Sequence, residues 1–573
     1  MRIITLLTIL LLTLGFAINS TKPAKTYPQD YFRSPIDQTI RLSGTFGELR
    51  PNHLHSGIDI KATGGKNGQP IYAIADGYIA RIKVQSGGYG NALYLVHPNG
   101  YMSVYAHLQN FERNVAKYIK KTQYEKQSFN VDLYLNGETF RVKKGEKIGN
   151  LGTSGRSFGP HLHFEIRDNK TQKPINPLLF GLKMEDDMRP RLHNVKIYHL
   201  NDKFETIDSR IHSLVKKGGG KYGIKGDTLT IGAWRAGFGV KAYDHHNGVT
   251  NWNGIYALEI YQDGQLIHSF DMETFSFGES RYINAHIDYA EQKLNKAYYN
   301  RSYKLPGNRL SIYEKNEGIV TLHKDKPSKI KVVALDVDGN KAVLDFWVKR
   351  KKVIPSNSGN YNYSLLYDRT NTINTGSMKT VFSKGTFYEN AYLNYQTSAD
   401  DSDGVYSDMH HLHDESIPVH KYFDLSIQGD RIPEHLRAKA FIAHCDSKQK
   451  VASNGGKWKD GYLTAKVRSL GDYCIMIDDT KPIIQPISFR NDMTTRSRMT
   501  FKITDNMSTT GKARGLSFKA TIDGKWILMQ YDEKNDLLIH QLDERTPKGE
   551  HTLKITVRDD RGNKNVYQRQ FRR

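Results

Sequence analysis

Two short segments, far apart in the chain, carry residue types and spacings suited to holding a metal ion. His55-Ser56-Gly57-Ile58-Asp59 sets an imidazole and a carboxylate four residues apart, and Gly159-Pro160-His161-Leu162-His163-Phe164-Glu165-Ile166 carries an H-x-H pair. Side chains alternate along an extended strand, so His55, Gly57 and Asp59 are expected on one face and His161 and His163 on one face, with Leu162 and Phe164 opposite. The glycine between the two polar residues is expected to leave open space above its strand. Two such strands side by side would present His55, Asp59 and either His163 or His161 to one cation. Two imidazoles, one carboxylate and an open fourth position make a catalytic zinc set. His53, in His53-Leu54-His55, is a rival ligand. Glu165 shares the face of His163 and is placed to orient a ligand through its carboxylate. The competing hydrolytic chemistry, a Ser/His/Asp triad, has one G-x-S-x-G match, Gly155–Gly159, which leads into the H-x-H strand instead of the helix that a nucleophile elbow requires. With only two cysteines in 573 residues, a Cys₄ zinc module and a disulfide-stapled scaffold are both excluded.

The elements that must position these groups read as β-strands. Runs such as Ala92–His97, Ile330–Leu335 and Leu553–Val557 are rich in branched and aromatic residues and are punctuated by Gly/Asn/Asp turns. Aromatics at 11%, with 34 Tyr, fit that class. Helical periodicity is convincing only around Asn114–Gln127, where Val115, Tyr118, Ile119 and Tyr124 could share a face.

The stretch from His55 to Ile166 resembles the zinc metallopeptidase family M23, the LytM/lysostaphin-type peptidoglycan endopeptidases. HSGIDI, GQPIYAIADGYIARI (Gly68–Ile82), GGYGNALYLVHPNG (Gly87–Gly100), YAHL (Tyr105–Leu108), KKGEKIGNLGTSG (Lys143–Gly155) and GPHLHFEI follow in the family's order. The resemblance implies that His55, Asp59 and His163 are zinc ligands. It also implies that His161 and His107 are catalytic imidazoles beside the metal, without saying which is the general base. The implied fold is a compact antiparallel β structure with a central groove. In compact members YAHL leads quickly into the K-x-G-x-x-I-G segment, whereas here residues 111–142, containing the helical stretch, intervene. That insertion is expected either to pack on the sheet or to wall the groove.

Met1–Ser20 has one basic residue, an apolar run and small residues at its end, the layout of a secretory signal peptide; no later segment is apolar enough to span a bilayer. The net charge of +23 is spread thinly, without the Lys/Arg tracts and interleaved aromatics of a nucleic-acid binder. After the peptidase-like domain, 21–188, an internal repeat appears. IKVVALDVDGNK (Ile330–Lys341) matches LKITVRDDRGNK (Leu553–Lys564), and Asp186-Asp187-Met188-Arg189-Pro190 matches Asp478-Asp479-Thr480-Lys481-Pro482. These mark two related modules, 189–350 and 480–573, on either side of a β-rich unit, 351–479, opened by a Ser/Asn/Gly linker. All three are expected to be immunoglobulin-like β-sandwiches, making the chain mainly β throughout. The Asp336–Gly339 turn, Asp244-His245-His246 and His410-His411-x-His413-Asp414 look metal-like, but turn chemistry and solvated His-rich loops are the expected explanations. Cys445 and Cys474 are expected near one another, as a disulfide or as two thiols.

The implied function is that of an exported, periplasmic or secreted Zn²⁺ endopeptidase cutting the peptide stems of peptidoglycan, with downstream modules that position it or dock an envelope partner. The rivals are a catalytically silent M23-like regulator of other wall hydrolases and a glycan-binding or adhesive envelope protein. A complete set of metal and catalytic positions separates the enzyme from the silent regulator.

Overall fold

Apolar residues at every second position, Ile58 and Ile60 on one strand and Leu162, Phe164 and Ile166 on another, are all fully buried and fix which face of the first sheet is the core. The computed structural model describes residues 26–573 apart from 325, 352–360, 401 and 447. The expected signal peptide and the start of the Ser/Asn/Gly linker lie outside the described residues. The chain is mainly β.

The strands that concern the site are β1 (Leu42–Gly44), β2 (Ile58–Lys61), β3 (Gly77–Val84), β4 (Asn91–Val96), β5 (Tyr101–Ala106), β6 (Val131–Tyr134) and β7 (His161–Asp168). They lie in a nine-stranded antiparallel sheet in the order β1-β2-β7-β5-β4-β3-β6. The central strand β7 therefore has β2 on one side and β5 on the other. Register puts His163 opposite Asp59 on β2 and opposite Ala106 on β5. A separate three-stranded sheet runs in the order Pro70–Tyr72, Lys147–Leu151, Leu108–Phe111.

The expected helix is present as α1 (Arg113–Glu125), with Val115, Ile119 and Gln123 buried. Its outer side meets the C-terminal residues of the chain. Lys120 Nζ pairs with Asp543 at 2.5 Å, Tyr124 packs edge-on against Trp526, and the Arg545 guanidinium lies over the Tyr124 ring at 4.2 Å. Two further short helices, Ile283–His286 and Tyr289–Asn295, went unread in the sequence because four and seven residues are too few to display a 3.6-residue period.

Residues 189–350 form a twelve-stranded sheet system joined through the long strand Thr206–Gly218. That strand pairs with Arg191–Leu200 over its first part and with Lys221–Ile224 over its last. Residues 361–478 carry a five-stranded sheet and five strands of a six-stranded one, whose sixth strand, Ser508–Thr509, comes from 480–573 and pairs parallel with Val451–Ser453; 480–573 also carries two four-stranded sheets, and each unit encloses its own core. One apolar core, by contrast, runs from Phe32 to Val348 without a break at residue 188. Cys445 and Cys474 lie on paired strands as free, hydrogen-bonded thiols.

Candidate metal centre

β7, β2 and the loop before β2 bring three donor atoms together. His55 Nε2 lies 3.0 Å from His163 Nδ1, His163 Nδ1 lies 2.9 Å from Asp59 Oδ1, and His55 Nε2 lies 3.1 Å from Asp59 Oδ1. The outer nitrogens are committed elsewhere. His55 Nδ1 donates to the Thr45 carbonyl at 2.7 Å, and His163 Nε2 donates to Glu165 Oε1 at 2.9 Å. A carbonyl can only accept, so the neutral His55 ring turns its Nε2 lone pair inward. Once His163 Nδ1 gives up its proton, two lone pairs and a carboxylate oxygen face one point and repel each other unless a cation sits among them. This donor chemistry fits zinc, with His55, Asp59 and His163 as the residues that would hold it.

The electrostatics of the metal-free site follow from the same contacts. Burial pushes His55 down to about 4. Burial acts on His163 in the same sense, yet its hydrogen bonds to Asp59 and Glu165 win and lift it to about 9. Asp59 is buried, which would raise it, but the hydrogen bond from protonated His163 holds it well below the ordinary carboxylate range. Asp59 Oδ2 pairs with Arg50 at 2.6 Å. Arg50 escaped the sequence reading because a lone arginine nine residues before an aspartate carries no periodicity or motif of its own.

Behind His163, Glu165 is fully buried and accepts from Ser56 Oγ at 2.6 Å, from the Tyr89 hydroxyl, and from Arg167 Nε at 2.5 Å. Although burial alone would raise it, Arg167 and His163 keep Glu165 ionised. A buried carboxylate satisfied on every side fixes the His163 ring and its tautomer. The face shared by Glu165 and His163 was legible as strand alternation, and the same alternation carries Arg167; Tyr89 was not legible, because it arrives from the loop before β4.

His161 and His107 sit beside the three donors, their rings 4.8 Å apart. His107 Nδ1 donates to the Ser154 carbonyl at 2.8 Å and His161 Nδ1 to the Gly159 carbonyl at 2.9 Å, so both rings present Nε2 to the groove. His161 Nε2 is 3.6 Å from Asp59 Oδ1. Burial and the two neighbouring imidazoles push His107 down to about 3, so it is neutral at physiological pH. His107 has a left-handed φ of 61°, the bend that turns its ring off the end of β5 toward β7. His53, the rival ligand, is exposed and bonded to the Pro51 carbonyl, outside the donor group.

The glycine of HSGID has a different reason from the one expected. A Cβ on Gly57 would lie 2.3 Å from the Phe164 carbonyl oxygen and 2.8 Å from Glu165 Cγ. Close passage of β7, rather than open space for a metal, requires glycine there. The His410–Asp414 cluster holds no metal-like group among the described residues; His410 bonds the Tyr395 hydroxyl and His411 bonds Asp472.

Peptidase family M23 matches residues 53–124 and 128–177, and a Zu5-like domain matches 362–478. The lipoprotein NlpD of Yersinia enterocolitica is 34% identical over 116 residues, which are 20% of this chain and 93% of that protein. The chain belongs to peptidase family M23. Within that family, the DD-carboxypeptidase/endopeptidase Mpg of Neisseria meningitidis is 37% identical over 147 residues, 25% of this chain and 27% of the relative. The murein hydrolase activator NlpD of Salmonella dublin is 31% identical over 162 residues, 28% of this chain and 34% of the relative. The chain thus spans about a quarter of the length of Mpg, and the shared part is the M23 segment.

Proposed function

We propose that this M23 protein is an exported zinc endopeptidase that hydrolyses peptide cross-links of bacterial peptidoglycan. The observation that carries the reading is the complete set of donors, His55 Nε2, Asp59 Oδ1 and His163 Nδ1, beside two imidazoles with free Nε2 atoms. Zinc held by those three residues supplies Lewis acidity toward the scissile carbonyl and lowers the pKa of water at the site. His161 takes a proton on Nε2 from the water that attacks the carbonyl carbon, and delivers it to the amine as the C–N bond breaks. Neutral His107, its Nδ1–H tied to Ser154, orients that water as an acceptor rather than donating to the oxyanion in the resting state. Glu165, with Ser56, Tyr89 and Arg167 around it, keeps His163 in the tautomer that leaves Nδ1 free.

The similarity to murein hydrolase activators supports a second reading, a non-cleaving regulator, in which the same groove only binds. Purified muropeptides incubated with the wild type and with His163→Ala, with bound zinc measured in both, separate the two. The enzyme reading expects cross-link cleavage and one zinc in the wild type, and loss of both in the variant. Zinc-bound wild type that cuts no muropeptide, yet stimulates a partner hydrolase, establishes the regulator instead. We further propose that the chain divides into 21–188, 189–350, 351–479 and 480–573, the last three being immunoglobulin-like modules that set the enzyme against its polymer or an envelope partner.

A further inference from the structure

Two partly buried acidic clusters occupy corresponding places in the two repeated modules. In each, a β-hairpin carries the repeated Gly-Asn turn, and the matching hydrogen bonds recur. Asn340 N donates to Asp336 Oδ1 at 2.8 Å and Asn340 Nδ2 to the Asp186 carbonyl at 3.1 Å. Asn563 N donates to Asp559 Oδ1 at 2.8 Å and Asn563 Nδ2 to the Asp478 carbonyl at 2.8 Å. In each, a further aspartate follows directly on a strand end, Asp244 after Arg235–Tyr243 and Asp505 after Arg498–Thr504. Asp186 and Asp478 belong to the segments that lead into their modules.

The two clusters differ in how their charge is met. In 189–350, His246 lies among the carboxylates, with Nδ1 2.7 Å from Asp186 Oδ2 and Nε2 3.8 Å from Asp244 Oδ2. Although burial opposes it, Asp186 and Asp244 push this imidazole toward its charged form. The corresponding residue in 480–573, two positions after the strand-end aspartate, is Met507; the nearby Lys439 ammonium bonds Asn563 Oδ1 and forms no ion pair with the three carboxylates among the described residues. Asp478, Asp505 and Asp559 offer oxygens within 4.8 Å of one another, and among the described residues none of the three is in an ion pair. Asp559 is only 8% exposed, and its Oδ2, like Asp505 Oδ1, is excluded from solvent without a hydrogen-bond partner. Buried carboxylates facing each other with orphaned oxygens are costly unless a cation joins them.

We propose that Asp478, Asp505 and Asp559 form a calcium site that ties the segment entering the last module to that module, the role that His246 fills with its own charge in the other repeat. An all-oxygen set without His or Cys suits a hard cation, and calcium accepts irregular coordination more readily than magnesium. The site lies outside the M23 segment and is independent of the peptidase reading.

The test uses the full-length, zinc-saturated protein. Calcium chloride and, separately, magnesium chloride are titrated calorimetrically, and thermal unfolding is followed with and without each ion. One calcium per chain and a calcium-dependent rise in unfolding temperature are expected, with magnesium much weaker. The double variant Asp505→Asn/Asp559→Asn should bind calcium at least about tenfold more weakly. It should also lose the calcium-dependent shift, while unfolding in calcium-free buffer no earlier than the wild type, since repulsion is removed. Asp244→Asn should leave calcium binding unchanged. Absence of calcium heat and of any shift in the wild type, or undiminished binding in the double variant, overturns the proposal. Should the double variant fail to fold, the single Asp505→Asn variant reads the same two quantities.

Discussion

His163 is the residue on which two demands meet. Without metal its imidazolium donates Nδ1–H to Asp59 and Nε2–H to Glu165, which lift it to about 9 against burial. An unfolded imidazole titrates near 6.5, so this pairing stabilises the metal-free fold fully below about 6.5 and is lost as pH rises through about 9. Zinc needs Nδ1 free of its proton, so zinc affinity should run the other way and climb with pH up to about 9. Calorimetry at pH 7 in buffers of different ionisation enthalpy should show about one proton released per zinc bound; zero release would refute the assignment of Nδ1 as the donor. His161→Ala should keep its zinc and lose about 10²–10⁴-fold in kcat on muropeptides, since only proton transfer is removed. Because His107 holds a left-handed φ, His107→Asn is the substitution that removes the imidazole with least backbone strain.

At the scale of elements, β7 carries the site and β2 and β5 deliver its partners by register alone. Gly57 permits the β2–β7 approach, and Gly57→Ala should cost about 1–3 kcal/mol in chemical denaturation and weaken zinc binding, because the strands must separate around the new Cβ. Glu165→Gln should keep the fold but lower zinc affinity about 10–100-fold, measured by competition with a chromogenic chelator. Glu165→Ala is a different experiment, since it leaves Arg167 buried without its carboxylate and should destabilise by about 3–5 kcal/mol. α1 illustrates how far pattern reading reaches. Its buried stripe of Val115 and Ile119 was legible from spacing, whereas the partner of Tyr124 was not, because Trp526 comes from the far end of the chain.

Across the whole molecule, downstream residues close in on the M23 segment from two directions. On one side Lys61 reaches Asn251, Leu54 N donates to Ser280 Oγ, and Phe46 packs against Phe275. On the other, Lys534 Nζ donates to the carbonyls of Ser157 at 2.9 Å and Thr153 at 3.3 Å, while Glu533 pairs with Arg156. The second contact holds the loop that carries Ser154 and Gly159, the carbonyls that orient His107 and His161. Lys534→Ala should therefore raise amide exchange in residues 152–160 by severalfold while leaving exchange in β2 and β7 unchanged. Equal exchange in wild type and variant would show that the loop holds its shape unaided.

The strand character, the repeat and the candidate ligands were legible in the amino-acid sequence because each rests on short-range rules: alternation along a strand, turn residues at a hairpin, donor types at a two-residue spacing. Those rules left His53, His161 and His163 as competing ligands, and they misread both the glycine of HSGID and the buried Asp244–His246 group, which was expected in a solvated loop. The tertiary structure sets His163 with His55 and Asp59, runs β7 against Gly57 and buries Asp244 and His246, because strand register, the orphaned oxygens of Asp505 and Asp559 and the guanidinium on Asp59 are products of chains meeting across long sequence separations. Local spacing names which residues can bind a cation. Only packing determines which donor atoms converge on one point, and that convergence is what makes a candidate metal site.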